Sequence, residues 1–230
     1  MTGERQRKRQ TERAIFLDRD GTLVHARHYP KLPEDLILYE GIDAQLRTLR
    51  AAGFQLIVVT NQSGMARGYF SEQDLMLMHD HLTRSLGLLG VAIDGFYYCP
   101  HHPDGVVDGL AIVCDCRKPQ PGMVRRAARE RGIDPRRSWF VGDILDDVEA
   151  GNTAGCRTVL VDLGTEAPPS SRIRQPAFVE RTTAHALDII LAEEGLGPAA
   201  SLAYRPDTWI GIGAASSIEI EAEAADAVAG

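Results

Sequence analysis

Ala14-Ile15-Phe16-Leu17-Asp18-Arg19-Asp20-Gly21-Thr22-Leu23 runs four apolar residues straight into two carboxylates and a Gly-Thr turn. An apolar run of strand length bounded by a turn reads as a buried strand, so Asp18 and Asp20 fall at its carboxyl end, where open α/β sheets bind ligands. Strand side chains alternate, so carboxylates with one residue between them share a face and repel unless a cation or a proton lies between them. A metal is the simplest reason for the pair. A bare Asp-x-Asp-Gly is more often only a turn, so what recurs downstream decides.

Three further pieces recur at strand ends. Phe54-Gln55-Leu56-Ile57-Val58-Val59-Thr60 is a second buried strand that opens into the glycine-bearing loop Asn61 to Phe70, Lys118-Pro119 follows a cysteine pair, and Ser138 to Val141 leads into Gly142-Asp143-x-x-x-Asp147. In that order, Asp18-x-Asp20-Gly21-Thr22, Val59-Thr60-Asn61, Lys118-Pro119 and Gly142-Asp143 resemble the four motifs of the haloacid dehalogenase superfamily of phosphatases. The resemblance implies that Asp18 is the nucleophile on phosphorus, that Asp20 is the general acid and base, and that Thr60 and Lys118 hold the phosphoryl oxygens. It also implies that Asp18, Asp143 and the backbone carbonyl of Asp20 hold the catalytic cation. Hard oxygen ligands select Mg2+.

Cys99-Pro100-His101-His102-Pro103 and Cys114-Asp115-Cys116 bring three of the chain's four cysteines within eighteen residues. Cys99, His101, Cys114 and Cys116 have the composition of a closed tetrahedral zinc site, with His102 the rival for the imidazole position. Such a site leaves no position for water, so the expected Zn2+ is structural and fixes Arg117 and Lys118 just beyond it. Cys156 reads as a buried core thiol.

Strands alternating with helices throughout predict a parallel sheet covered on both faces. The expected fold is therefore α/β, a doubly wound parallel sheet of Rossmann-like, haloacid dehalogenase type, with a zinc-bound loop at 99–116 and no large cap. Within it, Tyr29-Pro30-Lys31-Leu32-Pro33 cannot be regular helix and predicts a flap over the strand ends. Ser71 caps a helix on which His79 and His81 read as surface residues. Residues 1–13 read as a disordered basic arm, 14–195 as the phosphatase domain, and 196–230 as a disordered, acidic, alanine-rich tail.

The 230 residues carry a formal net charge of -7, 44% hydrophobic and 25% charged residues, which suits one soluble globular domain and argues against a nucleic-acid binder. Neither a signal-peptide core nor an apolar run of membrane-spanning length is present, so a cytoplasmic protein, monomeric and with no membrane partner, is expected.

Thr60 to Gly68, Cys99 to Pro103 and Cys114 to Met123 narrow the resemblance to the heptose bisphosphate phosphatases, to which histidinol-phosphatase domains are related. That branch implies a small phosphorylated sugar as substrate: a heptose 1,7-bisphosphate losing its 7-phosphate on the way to a nucleotide-activated heptose. Arg117 would grip a phosphate beside Lys118, and Arg27, His28, Tyr29, Asn61, Gln62, Ser63 and Arg67 would contact substrate. Ile144 stands where that branch commonly has lysine, and the flap reads Ala26-Arg27-His28-Tyr29-Pro30 rather than histidine-glycine-tyrosine. The competing readings are a phosphatase of histidinol phosphate or another sugar phosphate, and a catalytically silent zinc-stabilised binding module.

Overall fold

The computed structural model describes residues 12–197. Six strands form one all-parallel sheet: β1 (Arg13–Leu17), β2 (Phe54–Asn61), β3 (Gly95–Cys99), β4 (Trp139–Gly142), β5 (Arg157–Val161) and β6 (Phe178–Glu180). Their spatial order is β3-β2-β1-β4-β5-β6. The chain thus winds outward from β1 to one edge, then returns to β4 on the other side of β1 and winds to the opposite edge. The reversal point lies beside β1, and a doubly wound sheet opens its ligand crevice there, at the strand carboxyl ends.

Why β1 is central follows from its residues. Ala14 to Leu17 are all fully buried, and alternate side chains feed opposite layers. Ile15 and Leu17 join Leu56, Val58, Trp139 and Val141 beneath α1 (Asp43–Ala51), α2 (Glu72–Leu88) and α5 (Thr183–Glu193). Ala14 and Phe16 join Ile57, Val59 and Phe140 beneath Met123, Val124 and Ala127 of α3 (Gly122–Arg131). On that same face Gly151 of α4 (Leu145–Ala154) comes so close to Phe140 and Thr158 that a Cβ would meet their side chains at 2.9 and 2.6 Å. Each fully buried aliphatic or aromatic side chain contributes about 1.5–3 kcal/mol, so a two-faced strand is held harder than an edge.

Register carries the motifs to one level. Leu17 pairs with Val58 and with Val141, so Asp18 leaves β1 level with Val59 and Gly142, within one residue of Thr60 and Asp143. The expected doubly wound α/β fold without a large cap is the fold observed. The region after β1 is a small flap: Val24 bridges Leu38 antiparallel, His25 N–H donates to Ile37 C=O, and Tyr39 N–H donates to Leu23 C=O.

Ser71 caps α2, with its hydroxyl accepting from Asp74 N–H. His79 is a correction: it is buried, not on the surface, because its ring stacks on Phe96 of β3 at 4.4 Å. Burial, aided by the Arg19 charge, holds His79 down at about 3. Cys156 is buried as expected, and burial pushes its thiol well above the usual range. Most of the expected basic arm and acidic tail lies outside the described residues; Arg13 is already in β1, its guanidinium paired with Glu194 at 2.8 Å and stacked over Phe54. No helix among the described residues is long and apolar enough to cross a membrane.

Candidate active site

Asp18 ends β1, Asp143 ends β4 and Asp147 stands in the first turn of α4, and their carboxylates gather within 4.8 Å of one another. All three are buried. Two glycines make the room. A Cβ at Gly21, whose φ is +87°, would lie 2.2 Å from Asp143 Oδ2, and one at Gly142 would lie 2.4 Å from Asp147 Oδ2. Thr22 Oγ1 lies 3.4 Å from Asp143 Oδ1.

Lys118 reaches into this group from the far end of the cysteine loop. Its ammonium lies 2.5 Å from Asp18 Oδ1 and 2.5 Å from Asp147 Oδ1, and it donates to Val59 C=O at 3.0 Å. Burial alone would lower Lys118, but the Asp147 and Asp18 charges outweigh it and drive it above the usual lysine range. Burial pushes Asp18 up to about 7 against the pull of Lys118, and burial together with Asp18 pushes Asp143 up to about 8. Three ionised carboxylates against one ammonium leave two negative charges, all on hard oxygen donors, which is the charge and chemistry a divalent cation such as Mg2+ neutralises. Asp147 is the residue the sequence reading left out of the cation group. Its signal was the spacing of four from Asp143, which brings a first-turn carboxylate of α4 back beside the strand end that precedes the helix.

Asp20 faces elsewhere. Its carboxylate stands outside the three-carboxylate group and accepts hydrogen bonds from Arg19 and Gln62. Thr60 is buried beside it, its hydroxyl accepting from Gln62 Nε2 at 2.8 Å. Asn61 clamps the backbone of Lys118, accepting from its N–H at 3.0 Å and donating to its C=O at 3.1 Å. The amides of Asn61 and Gln62, expected at the substrate, are thus engaged within the protein.

A cavity of about 250 Å³ opens at this level between the flap and the loop after β2, lined by Arg27, His28, Tyr29, Pro30 and Asn61 to Gly64 as well as Arg19 and Asp20. Tyr29 adopts φ +51° and its ring packs on His28 at 4.5 Å and on Tyr69 at 4.8 Å. Arg27 pairs with Asp35 at 3.5 Å. Arg67 lies 3.2 Å from His102 Nε2, and burial with the charges of Arg117 and Arg67 lowers His102. Arg67 Nε and one terminal nitrogen of Arg117 are buried without a hydrogen-bond partner among the described residues.

The cysteine loop closes as its residues foretell. Cys99 Sγ lies 3.5 Å from Cys114 Sγ and 3.3 Å from Cys116 Sγ, Cys114 and Cys116 are 3.2 Å apart, and His101 Nδ1 is 3.3 Å from Cys116 Sγ. Metal–ligand bonds of about 2.0–2.3 Å give a tetrahedron edges of about 3.3–3.8 Å, so the four donors already stand near the corners. The three thiols are free, and Cys116 is lowered to about 5 by hydrogen bonding with Cys99, then Cys114 and His101. His102, the rival ligand, is turned to Arg67 and to the N–H of Asp104.

Comparison with known proteins accords with this geometry. A family model described as HAD-hydrolase-like matches residues 115–186. The D-glycero-beta-D-manno-heptose-1,7-bisphosphate 7-phosphatase of Haemophilus ducreyi is 46% identical over 155 residues, 66% of this chain and 85% of that protein. The chain belongs to this phosphatase family. The Escherichia coli K12 member is 43% identical over 159 residues, 69% of this chain and 83% of its own length. Among solved structures, the D,D-heptose 1,7-bisphosphate phosphatase of B. bronchiseptica, complexed with magnesium and phosphate, superposes with a TM-score of 0.66 at 34% identity, covering 79% of this chain and 99% of that one. Membership in the family, and in the haloacid dehalogenase superfamily that contains it, is as the motifs implied.

Proposed function

We propose that this chain removes the 7-phosphate of D-glycero-β-D-manno-heptose 1,7-bisphosphate through an aspartyl-phosphate on Asp18. The observation that carries the reading is the buried convergence of Asp18, Asp143, Asp147 and Lys118 at the sheet's reversal point. The family named above supports the choice of substrate.

In the first half-reaction an Asp18 carboxylate oxygen bonds to phosphorus, the bond from phosphorus to the sugar oxygen breaks, and Asp20 gives its proton to that oxygen. In the second, Asp20 takes a proton from water, the water oxygen bonds to phosphorus, and the bond to Asp18 breaks. A covalent intermediate divides one hard displacement into two easier ones, and a placed acid and base contributes about 10²–10⁴-fold. Asp18, Asp143 and Asp147, with the Asp20 backbone carbonyl, would hold Mg2+, which when bound offsets the repulsion between the carboxylates and the anionic substrate. Thr60 and Lys118 hold the phosphoryl oxygens, and Asn61 keeps Lys118 in place.

The second phosphate of the substrate accounts for the other polar groups. Arg67 and Arg117, each with a buried nitrogen that has no partner among the described residues, supply donors for an anion, and Arg27, His28, Tyr29 and Ser63 line the sugar cavity. Cys99, His101, Cys114 and Cys116 would hold Zn2+, which fixes the loop that carries Arg117 and Lys118. The test is Mg2+-dependent phosphate release from both anomers of the heptose bisphosphate, fructose 1,6-bisphosphate and histidinol phosphate. Preference for the β-heptose anomer, lost in Asp18→Asn, is expected; a preference for histidinol phosphate would move the substrate, and no Asp18-dependent release from any would leave a silent binding module.

A further inference from the structure

We propose that Arg19 and Gln62 are positioning residues for the acid–base carboxylate, fixing the rotation of Asp20 and tying it to the phosphate-binding hydroxyl of Thr60. The inference deepens the phosphatase reading and rests on it.

Arg19 sits between the two aspartates of the opening motif, yet its side chain is fully buried. Arginine is almost never fully buried unless paired, since an uncompensated ion costs several kcal/mol. Its pairing is specific. Nε donates to Asp20 Oδ2 at 3.0 Å, and one terminal nitrogen donates both to Asp20 Oδ1 and to Gln62 Oε1 at 3.1 Å. Gln62 Nε2 closes the ring by donating to Asp20 Oδ2 at 3.1 Å and to Thr60 Oγ1 at 2.8 Å. His79, beside Arg19, is buried and uncharged, so it brings no second positive charge against the guanidinium.

The count of lone pairs assigns a role to each oxygen. A carboxylate offers about four acceptor directions. Oδ2 spends two, on Arg19 and Gln62, while Oδ1 spends one, on Arg19. The direction left open is on Oδ1, and the transferred proton therefore resides there. A planar two-pronged donor resists rotation of the carboxylate in a way a point charge does not, so the open direction keeps one aim. In the two half-reactions the proton on Oδ1 goes to the sugar oxygen as its bond to phosphorus breaks, and returns from water as the water oxygen bonds to phosphorus.

In the first half-reaction a group that serves the acid should matter only where the leaving group needs a proton; the second half-reaction, in which Asp20 is the base, is common to all substrates. A sugar alkoxide must be protonated to leave; a nitrophenolate need not be. The experiment compares kcat/KM, which reads the first half-reaction alone, on the heptose bisphosphate and on p-nitrophenyl phosphate, with Mg2+, for the wild type, Asp20→Asn, Arg19→Met, Arg19→Lys and Gln62→Leu. Expected is a loss in Arg19→Met of about 100-fold on the sugar phosphate and at least ten times less on the aryl phosphate, mirroring Asp20→Asn. Gln62→Leu should show the same selectivity at about 10-fold, and Arg19→Lys should recover part of the loss.

Equal losses on the two substrates, or none on the sugar phosphate, would overturn the inference. Melting temperatures report whether Arg19→Met folds, and if it does not, the selectivity of Gln62→Leu decides alone. Absence of Asp18-dependent release by the wild type from either substrate would instead overturn the phosphatase reading, and this inference with it.

Discussion

Two clusters of side chains that could hold a metal are built in opposite ways. The carboxylates of Asp18, Asp143 and Asp147 come from two strand ends and a helix start, with 124 residues of chain between Asp18 and Asp143, and are held at close quarters by the sheet and by Lys118. The thiols and imidazole of Cys99, His101, Cys114 and Cys116 come from the last residue of β3 and the loop that follows it. The first cluster stores repulsion that the fold must contain; the second is assembled from donors close together in the chain. A reactive site gains from buried charge that substrate and cation relieve, whereas a structural site needs only donors within reach.

The largest effect should come from the reactive cluster. Asp18→Asn should lower kcat by on the order of 10⁴-fold or more, while its melting temperature holds or rises because one of three crowded charges is gone. Loss of activity with a large drop in melting temperature would mean that Asp18 is structural, and the contrast between the clusters would collapse.

Lys118→Met should cost both properties. It leaves Asp18 and Asp147 buried without their cation, a loss of about 3–5 kcal/mol, with kcat down by about 10²–10³-fold. Adding Asp147→Asn should restore much of the stability and none of the activity, which differential scanning calorimetry and phosphate release together would show.

Cys116→Ser should behave the other way round. One equivalent of bound zinc, measured by mass spectrometry or atomic emission, should be lost, and the melting temperature should fall by about 5–10 °C, for about 2–3 kcal/mol. Activity should drop through disorder of Arg117 and Lys118, so excess Mg2+ should not rescue it. Full rescue by Mg2+ would show that the loop does not position the lysine.

The pH dependence separates the two further. Asp18 and Asp143 have folded-state values raised to about 7 and about 8 from an ordinary 3.8. Between about pH 4 and pH 8 the cation-free folded protein holds protons that the unfolded chain has released, so its stability falls as pH rises through that window. Mg2+ needs the ionised carboxylates, so the stabilisation it brings should grow with pH, reaching about 2.7 kcal/mol at a hundred times its dissociation constant. Thermal melts at pH 5 and pH 8, with and without Mg2+, check the sign. The smallest effect should be that of His102→Ala on zinc content, which should stay at one equivalent, while His101→Ala should lose the ion.

Much of the fold was open to reading because its signals are local. Apolar runs of strand length, Ser71 ahead of an acidic turn, and Gly132 in the left-handed conformation after α3 each act within a few residues. The four motifs gave Asp18, Thr60, Lys118 and Asp143 their places for the same reason, since a strand end needs only to be recognised as one. His79 was missed because its face of α2 is decided by the ring of Phe96 on a strand that comes later in the chain.

By itself, then, the sequence determined the strand and helix alternation, the donor types of both clusters and, through the closeness of Cys99, His101, Cys114 and Cys116, nearly the whole of the thiol site. Tertiary structure alone decided that Asp147 joins Asp18 and Asp143 while the Asp20 carboxylate turns to Arg19 and Gln62, and that Asn61 holds the backbone of Lys118. The physical reason is that local spacing fixes which residues are near one another along the chain. Which of several nearby carboxylates and amides meet depends on the register of three strands and on which buried charge finds its counter-charge first.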